Sequence, residues 1–82
     1  MKDIEWSEQS LDDMSALDKE MARRVKQAVE RFAATGAGNV KRLQGIKPPE
    51  FRLRVGEYRV RFHQDLNTIR ILRVRNRREA YR

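Results

Sequence analysis

The chain has no cysteine, a single histidine and only two prolines. Without cysteine, neither a disulfide framework nor a thiolate metal site can form. No apolar run approaches the ~20 residues that a membrane-spanning helix needs. The polar, acidic start MKDIEWSEQS also differs from a signal peptide. We therefore expect a cytoplasmic protein with no membrane partner, no metal and no other cofactor.

Basic residues are abundant and unevenly placed. The 82 residues, which we expect to form a single domain over 1–82, include 19 Lys and Arg against 12 Asp and Glu, a net charge of +7. Residues 1–50 are electrically neutral, whereas residues 51–82 carry the whole excess, and every basic residue there is arginine. Because arginine grips phosphate oxygens in pairs, this pattern predicts a polyanion such as nucleic acid as partner. A solvated basic surface is the alternative, although solubility does not require arginine alone.

The segment FRLRVGEYRVRF, residues 51–62, alternates strictly between apolar and polar residues on either side of Gly56-Glu57. This pattern predicts a hairpin with a two-residue turn and strands at about 51–55 and 58–63. The side of the hairpin that carries the basic residues is called the arginine face: Arg52, Arg54, Arg59 and Arg61. Like charges directly opposite one another destabilise a sheet, so an anionic partner is the natural explanation.

The first half of the chain predicts a short strand at 2–7 and two helices. Ser7 is a candidate cap for a helix running to about Leu17, and Asp18 begins a second helix that Gly36 ends. The second helix carries an apolar stripe at helical spacing: Met21, Val25, Ala28, Val29 and Phe32. Because the two helices are joined tightly, we expect them to form a helical hairpin.

Residues 35–50 contain three glycines and Pro48-Pro49, which predicts an irregular connection. Residues 68–75 predict a third strand, whose imperfect alternation indicates either coverage on both faces or a bulge. The sequence therefore predicts an α+β fold. An N-terminal helical hairpin would pack on the apolar face of a small, mostly antiparallel β-sheet and leave the arginine face open to solvent.

Over roughly residues 8–82 the chain resembles the RelE/ParE toxin superfamily of bacterial type II toxin–antitoxin systems. The resemblance rests on KRLQG, on the hairpin and on ILRVRNRREAYR, which closes with Arg77 and Tyr81. It implies a RelE/ParE-like fold with a helical hairpin on a largely antiparallel sheet. For the RelE branch it implies an mRNA interferase, an endoribonuclease that cuts messenger RNA on the ribosome and inhibits translation. In that reaction the 2′-hydroxyl of the messenger attacks the adjacent phosphate without a metal.

The resemblance also implies site residues. The catalytic positions would be Arg52, Arg54, Arg59, Arg77 and Tyr81. The residues expected to bind RNA are Arg61, Arg75, Arg78, Lys41 and Lys47. Arginines can stabilise a phosphorane-like transition state, and a tyrosine can stack on a splayed base. Arginine stays protonated, so these positions leave the general base and the general acid unassigned.

The partners implied are a cognate antitoxin, messenger RNA and the ribosome with its RNA, and operator DNA only indirectly through the antitoxin. Two alternatives keep the same fold. One is a ParE-like inhibitor of DNA gyrase without nuclease activity, and the other is a non-catalytic RNA-binding module. His63 falls opposite Glu50 if the hairpin register is extended, so it is either half of a proton-exchanging pair or a simple edge histidine near a turn.

Overall fold

The computed structural model describes residues 1–77. Its elements are β1 (Asp3–Trp6), α1 (Glu8–Ser15), α2 (Lys19–Thr35), β2 (Val40–Arg42), β3 (Phe51–Val55), β4 (Tyr58–Gln64) and β5 (Thr68–Asn76). The strands form one sheet in the order β1-β5-β4-β3-β2. Strand β1 runs parallel to β5, and the other neighbouring pairs are antiparallel. The prediction of a mixed α+β fold is confirmed.

Both helices begin where their caps were predicted. The Ser7 hydroxyl accepts a hydrogen bond from the backbone N–H of the third residue along, and the Asp18 carboxylate does the same at α2. Gly36 ends α2 in the left-handed region, with φ of 76°. Helix α1 ends at Ser15, two residues earlier than expected. No helix within residues 1–77 is long and apolar enough to cross a membrane.

The predicted N-terminal helical hairpin is not confirmed. A strand, β1, precedes both helices, and the helices pack on different parts of the sheet. Helix α1 lies against β5, whereas α2 lies against β3 and β1. Each helix therefore uses the sheet, rather than the other helix, as its main packing partner.

The core lies between α2 and one face of the sheet. Val25, Val29 and Ala33 of α2 are buried against apolar strand residues: Leu53, Val55, Val60, Phe62, Ile69, Ile71 and Val74. The Phe62 ring also contacts Phe32 and Phe51, with ring centroids 5.4 and 5.6 Å apart. Burial of one such side chain contributes about 1.5–3 kcal/mol. The apolar face of the sheet is therefore covered by α2, and the basic residues lie on the opposite, arginine face.

The predicted hairpin register is confirmed at all five pairs, from Phe51 opposite Phe62 to Val55 opposite Tyr58. The irregular alternation of the third strand is a bulge, since Arg61 lies opposite Arg73 but Phe62 lies opposite Ile71. Leu72 is the additional residue between them. It switches the alternation, so that residues before and after it bury on the same face: Ile69, Ile71 and Val74.

Strand β2 lies inside the segment that was expected to be an irregular connection. Its three residues pair with β3, so that Val40 lies opposite Leu53 and Lys41 opposite Arg52. Three residues between glycines are too few for a pattern of alternation to be recognised. The strand forms because β3 offers it an unpaired edge, which is a tertiary rather than a local cause.

Candidate nucleic-acid interface

The arginine face is built by rows of residues that lie directly opposite one another on neighbouring strands. One row, near the β3–β4 turn, consists of Arg54, Arg59 and Arg75. The next row crosses four strands and consists of Lys41, Arg52, Arg61 and Arg73. The sheet therefore gathers seven basic side chains from four strands onto one face. Such a concentration of charge favours a polyanion in contact with this surface.

The centre of this face is less open than the sequence indicated. Arg59 is only 5% exposed, which corrects the expectation that the whole face lies open to solvent. Arg59 lies on β4, the third of the five strands, between Arg54 and Arg75. The Nε atom of Arg52 is also buried and has no hydrogen-bond partner within residues 1–77. Because a buried donor without a partner is costly, an anion that accepts a hydrogen bond from this Arg52 atom would recover part of that cost.

Two acidic residues balance part of the charge, and the first is Glu50. Glu50 is 8% exposed, and its carboxylate forms an ion pair with the Arg61 guanidinium. His63 Nε2 lies 3.9 Å from the second oxygen of the same carboxylate. The predicted proximity of His63 and Glu50 is therefore confirmed. Arg61 stays a predicted RNA contact, but its charge is already balanced within the protein.

The second acidic residue is Asp13 of α1. One of its oxygens accepts hydrogen bonds from Arg73 Nε and from the backbone N–H of Val74, both at 2.9 Å. Burial raises the pKa of Asp13, but these hydrogen bonds and the charges of Arg73 and Arg75 outweigh it and leave the pKa below its usual value. This contact was not predicted, because the sequence does not show where α1 meets β5.

The other predicted site residues fall in different places. Arg77 is exposed directly after β5, and its backbone N–H donates to a carbonyl of the β3–β4 turn, 2.7 Å away. This places Arg77 at the same end of the sheet as Arg54. Lys41 is exposed on β2, and Lys47 is exposed in the loop between β2 and β3. Arg78 and Tyr81, the other two predicted site residues, lie outside the described residues.

The fold is similar to several solved structures. A chain in the crystal structure of the RelB–RelE antitoxin–toxin complex from Methanococcus jannaschii aligns with a TM-score of 0.77, 21% identity and 94% coverage of both chains. A chain in the archaeal RelE–RelB complex from Pyrococcus horikoshii OT3 aligns with a TM-score of 0.78 and 22% identity, and the alignment covers 93% of this chain and 94% of that chain. The YoeB dimer from Staphylococcus aureus aligns with a TM-score of 0.71 and 22% identity, and the alignment covers 88% of this chain and 92% of that chain. At these identities the likeness shows the fold.

Sequence comparison identifies the family. Curated protein sequences give no significant match. The model of a protein family described as the ParE toxin of type II toxin–antitoxin systems, parDE, matches residues 4–81, which is nearly the whole chain. Together with the RelE-like fold, this match confirms the resemblance to the RelE/ParE superfamily. The chain belongs to the ParE toxin family of type II toxin–antitoxin systems.

Proposed function

We propose that this toxin is a ribosome-dependent mRNA endoribonuclease of the RelE type, acting in the cytoplasm. The observation that supports this proposal is the arginine face, where two neighbouring cross-strand rows of the hairpin bring Arg52, Arg54 and Arg59 together. A surface made for folding alone would alternate acids and bases at these positions. The chemistry of RNA cleavage needs cations of this kind around one phosphate.

In the proposed reaction, the 2′-hydroxyl oxygen of one nucleotide attacks the adjacent phosphorus, and the 5′-oxygen of the next nucleotide leaves. The 2′-hydroxyl loses a proton and the leaving oxygen gains one. Negative charge accumulates on the phosphate oxygens between these events, where Arg52, Arg54 and Arg59 would stabilise it. Arg77, at the same end of the sheet as Arg54, would hold the RNA backbone. These arginines stay protonated, so other groups carry both protons.

A cognate antitoxin is the expected protein partner. The structures from M. jannaschii and P. horikoshii are complexes of RelE with RelB, and membership of a toxin–antitoxin family supports an antitoxin partner for this chain. We expect the antitoxin to neutralise the toxin and to connect it indirectly to operator DNA. Messenger RNA and the ribosome are the proposed targets.

Inhibition of DNA gyrase is the second candidate function. The observation that favours it is the name of the matching family, which is that of the ParE toxin. Gyrase inhibition would need a protein-binding surface and no phosphate chemistry. The arginine face would then act by binding or by repulsion, without cleavage. A non-catalytic RNA-binding module would likewise bind RNA and leave it intact.

The deciding experiment is induced expression without the antitoxin, followed by mapping of messenger 5′ ends. The variant Arg52→Gln/Arg54→Gln removes two charges from the arginine face, and Lys26→Gln/Arg31→Gln removes two from the exposed side of α2 as a matched control. We expect wild type and control to cut translated codons only when ribosomes are active, and the first variant to leave messengers intact. Growth arrest with intact messengers and altered chromosome supercoiling would instead assign the protein to gyrase.

A further inference from the structure

A groove lies at the end of the sheet where β3 begins and β4 ends, next to His63. Its volume is about 370 Å³, within the range of sites that bind small molecules. His63 and Arg61 are two residues apart on β4 and share the arginine face, so the groove continues that face beyond the rows described above. The reaction proposed above uses none of the side chains that line it.

Two basic residues line this groove, Arg42 and Arg70. The Nε atom of Arg70 also bonds to Glu5 at 3.1 Å, but both side chains are more than half exposed, so the pair is weak and easily exchanged. One acid, Asp65, shares the lining. Its carboxylate accepts the backbone N–H groups of its own turn, at 2.8 Å each. The cations are therefore the groups that remain available to a phosphate.

The remaining walls suit the other parts of a nucleotide. Pro48 and Pro49 supply apolar surface, which a base can contact. His63 supplies ring nitrogens that can hydrogen-bond to a ribose hydroxyl. The buried Glu50 carboxylate, which pairs with Arg61, lies 3.9 Å from His63 Nε2. Phosphate, sugar and base would each meet a matching group.

We propose that this groove binds one nucleotide of the RNA strand that crosses the arginine face. Arg42 and Arg70 bind its phosphate, Pro48 and Pro49 contact its base, and His63 forms a hydrogen bond to its ribose. This inference rests on RNA being the ligand of the arginine face, as proposed above, and names a further subsite for it. His63 is a binding residue in this arrangement.

The chain offers a direct probe, because His63 is its only histidine and Trp6 its only tryptophan. The ring-proton NMR signals of His63 are therefore unambiguous. We would add adenosine 5′-monophosphate at fixed pH and follow those signals, with the Trp6 indole signal as a control for the fold. Inorganic phosphate would be titrated in parallel. The expected result is a saturable shift of His63 that needs at least about tenfold less nucleotide than phosphate.

The variant Arg42→Gln/Arg70→Gln should weaken this binding about tenfold or more, since charge-assisted hydrogen bonds are lost. Lys26→Gln/Arg31→Gln, with the same change in net charge, should bind as wild type. An equal response to phosphate and nucleotide, or an unchanged shift in the first variant, would overturn the subsite. The messenger-mapping experiment tests a separate claim. Intact messengers together with a saturable His63 shift would refute the nuclease proposal and leave the nucleotide-binding groove supported.

Discussion

Arg54 on β3 lies directly opposite Arg59 on β4, so two positive charges face each other across the hairpin. Opposite charges at such a pair would stabilise the sheet by about 0.2–1 kcal/mol. We therefore expect Arg54→Glu to raise the free energy of unfolding in urea by about that amount, while RNA binding, measured by fluorescence anisotropy, is lost. Stability and binding would change in opposite directions, as expected where a site is kept at a cost to the fold.

The matched control for this prediction is Arg31→Glu, which makes the same charge change on the exposed side of α2. It should leave RNA binding far less affected, because it lies on the helical side of the sheet. If Arg54→Glu bound RNA as tightly as wild type, the arginine face would not be the contact surface.

Asp13 is expected to matter more for stability than any other acidic residue of α1. Asp13→Ala removes the acceptor of the Arg73 side chain and of the Val74 backbone N–H. A hydrogen bond to a charged group contributes about 1.5–3 kcal/mol, so we expect a loss of about that size in urea denaturation. The neighbouring Asp12 is exposed, and Asp12→Ala should change stability by less than about 0.5 kcal/mol. Equal effects of the two substitutions would contradict the assignment.

The same carboxylate predicts a dependence of stability on pH. The pKa of Asp13 is lower in the folded chain than its value of ~4 in the unfolded chain. The stability that this group contributes is therefore fully present above about pH 4 and is lost as the pH falls through the folded pKa. In Asp13→Asn, unfolding free energy should fall less steeply below pH 4 than in wild type. Parallel curves would show that other carboxylates account for the acid sensitivity.

Glu50 is expected to neutralise part of the positive charge of the arginine face and so to weaken its binding to RNA. Glu50→Gln keeps the size of the side chain but leaves Arg61 without its counter-charge. We expect the free energy of unfolding to fall by about 1–3 kcal/mol, since a buried charged hydrogen bond is lost. RNA affinity should rise, and its salt dependence should steepen by up to about one unit of slope, because one more cation meets phosphate. Weaker RNA binding in a folded Glu50→Gln protein would exclude this role.

Phe62 is expected to contribute strongly to the stability of the core. It is 1% exposed and contacts aromatic rings of α2 and β3. Phe62→Ala should destabilise the protein by about 3–5 kcal/mol. Leu66, in the β4–β5 turn, is 90% exposed, and Leu66→Ala should change stability by less than about 0.5 kcal/mol. Thermal or urea denaturation of the two variants provides the comparison.

The features that the sequence predicted well are those with a local cause. The hairpin register follows from a two-residue turn and strict alternation, which leave only one way to bury the apolar residues of β3 and β4. The caps Ser7 and Asp18 are recognisable because they satisfy N–H groups three residues away. Even the bulge was signalled, since Leu72 breaks the alternation of β5 at one point.

The features that the sequence did not predict depend on how distant elements meet. Strand β2 exists because β3 offers an edge, and Asp13 reaches Arg73 because α1 packs along β5. Arg59 is 5% exposed, whereas the side chain of Arg61, on the same strand and the same face, is 41% exposed. Strand alternation placed both residues on the charged face, but it does not show how deeply each of them is buried.

The parallel pairing of β1 with β5 affects when the toxin can complete its fold during synthesis. Ile4 of β1 pairs with Ile69 of β5, so β1 cannot join the sheet until β5 has been synthesised. A chain produced from its N-terminus at about 5–20 residues per second can form α2 early, but it cannot close this sheet until β5 has emerged. The row that joins Arg54, Arg59 and Arg75 also requires β5. A nascent chain from which β5 has not yet emerged therefore lacks the complete charged surface.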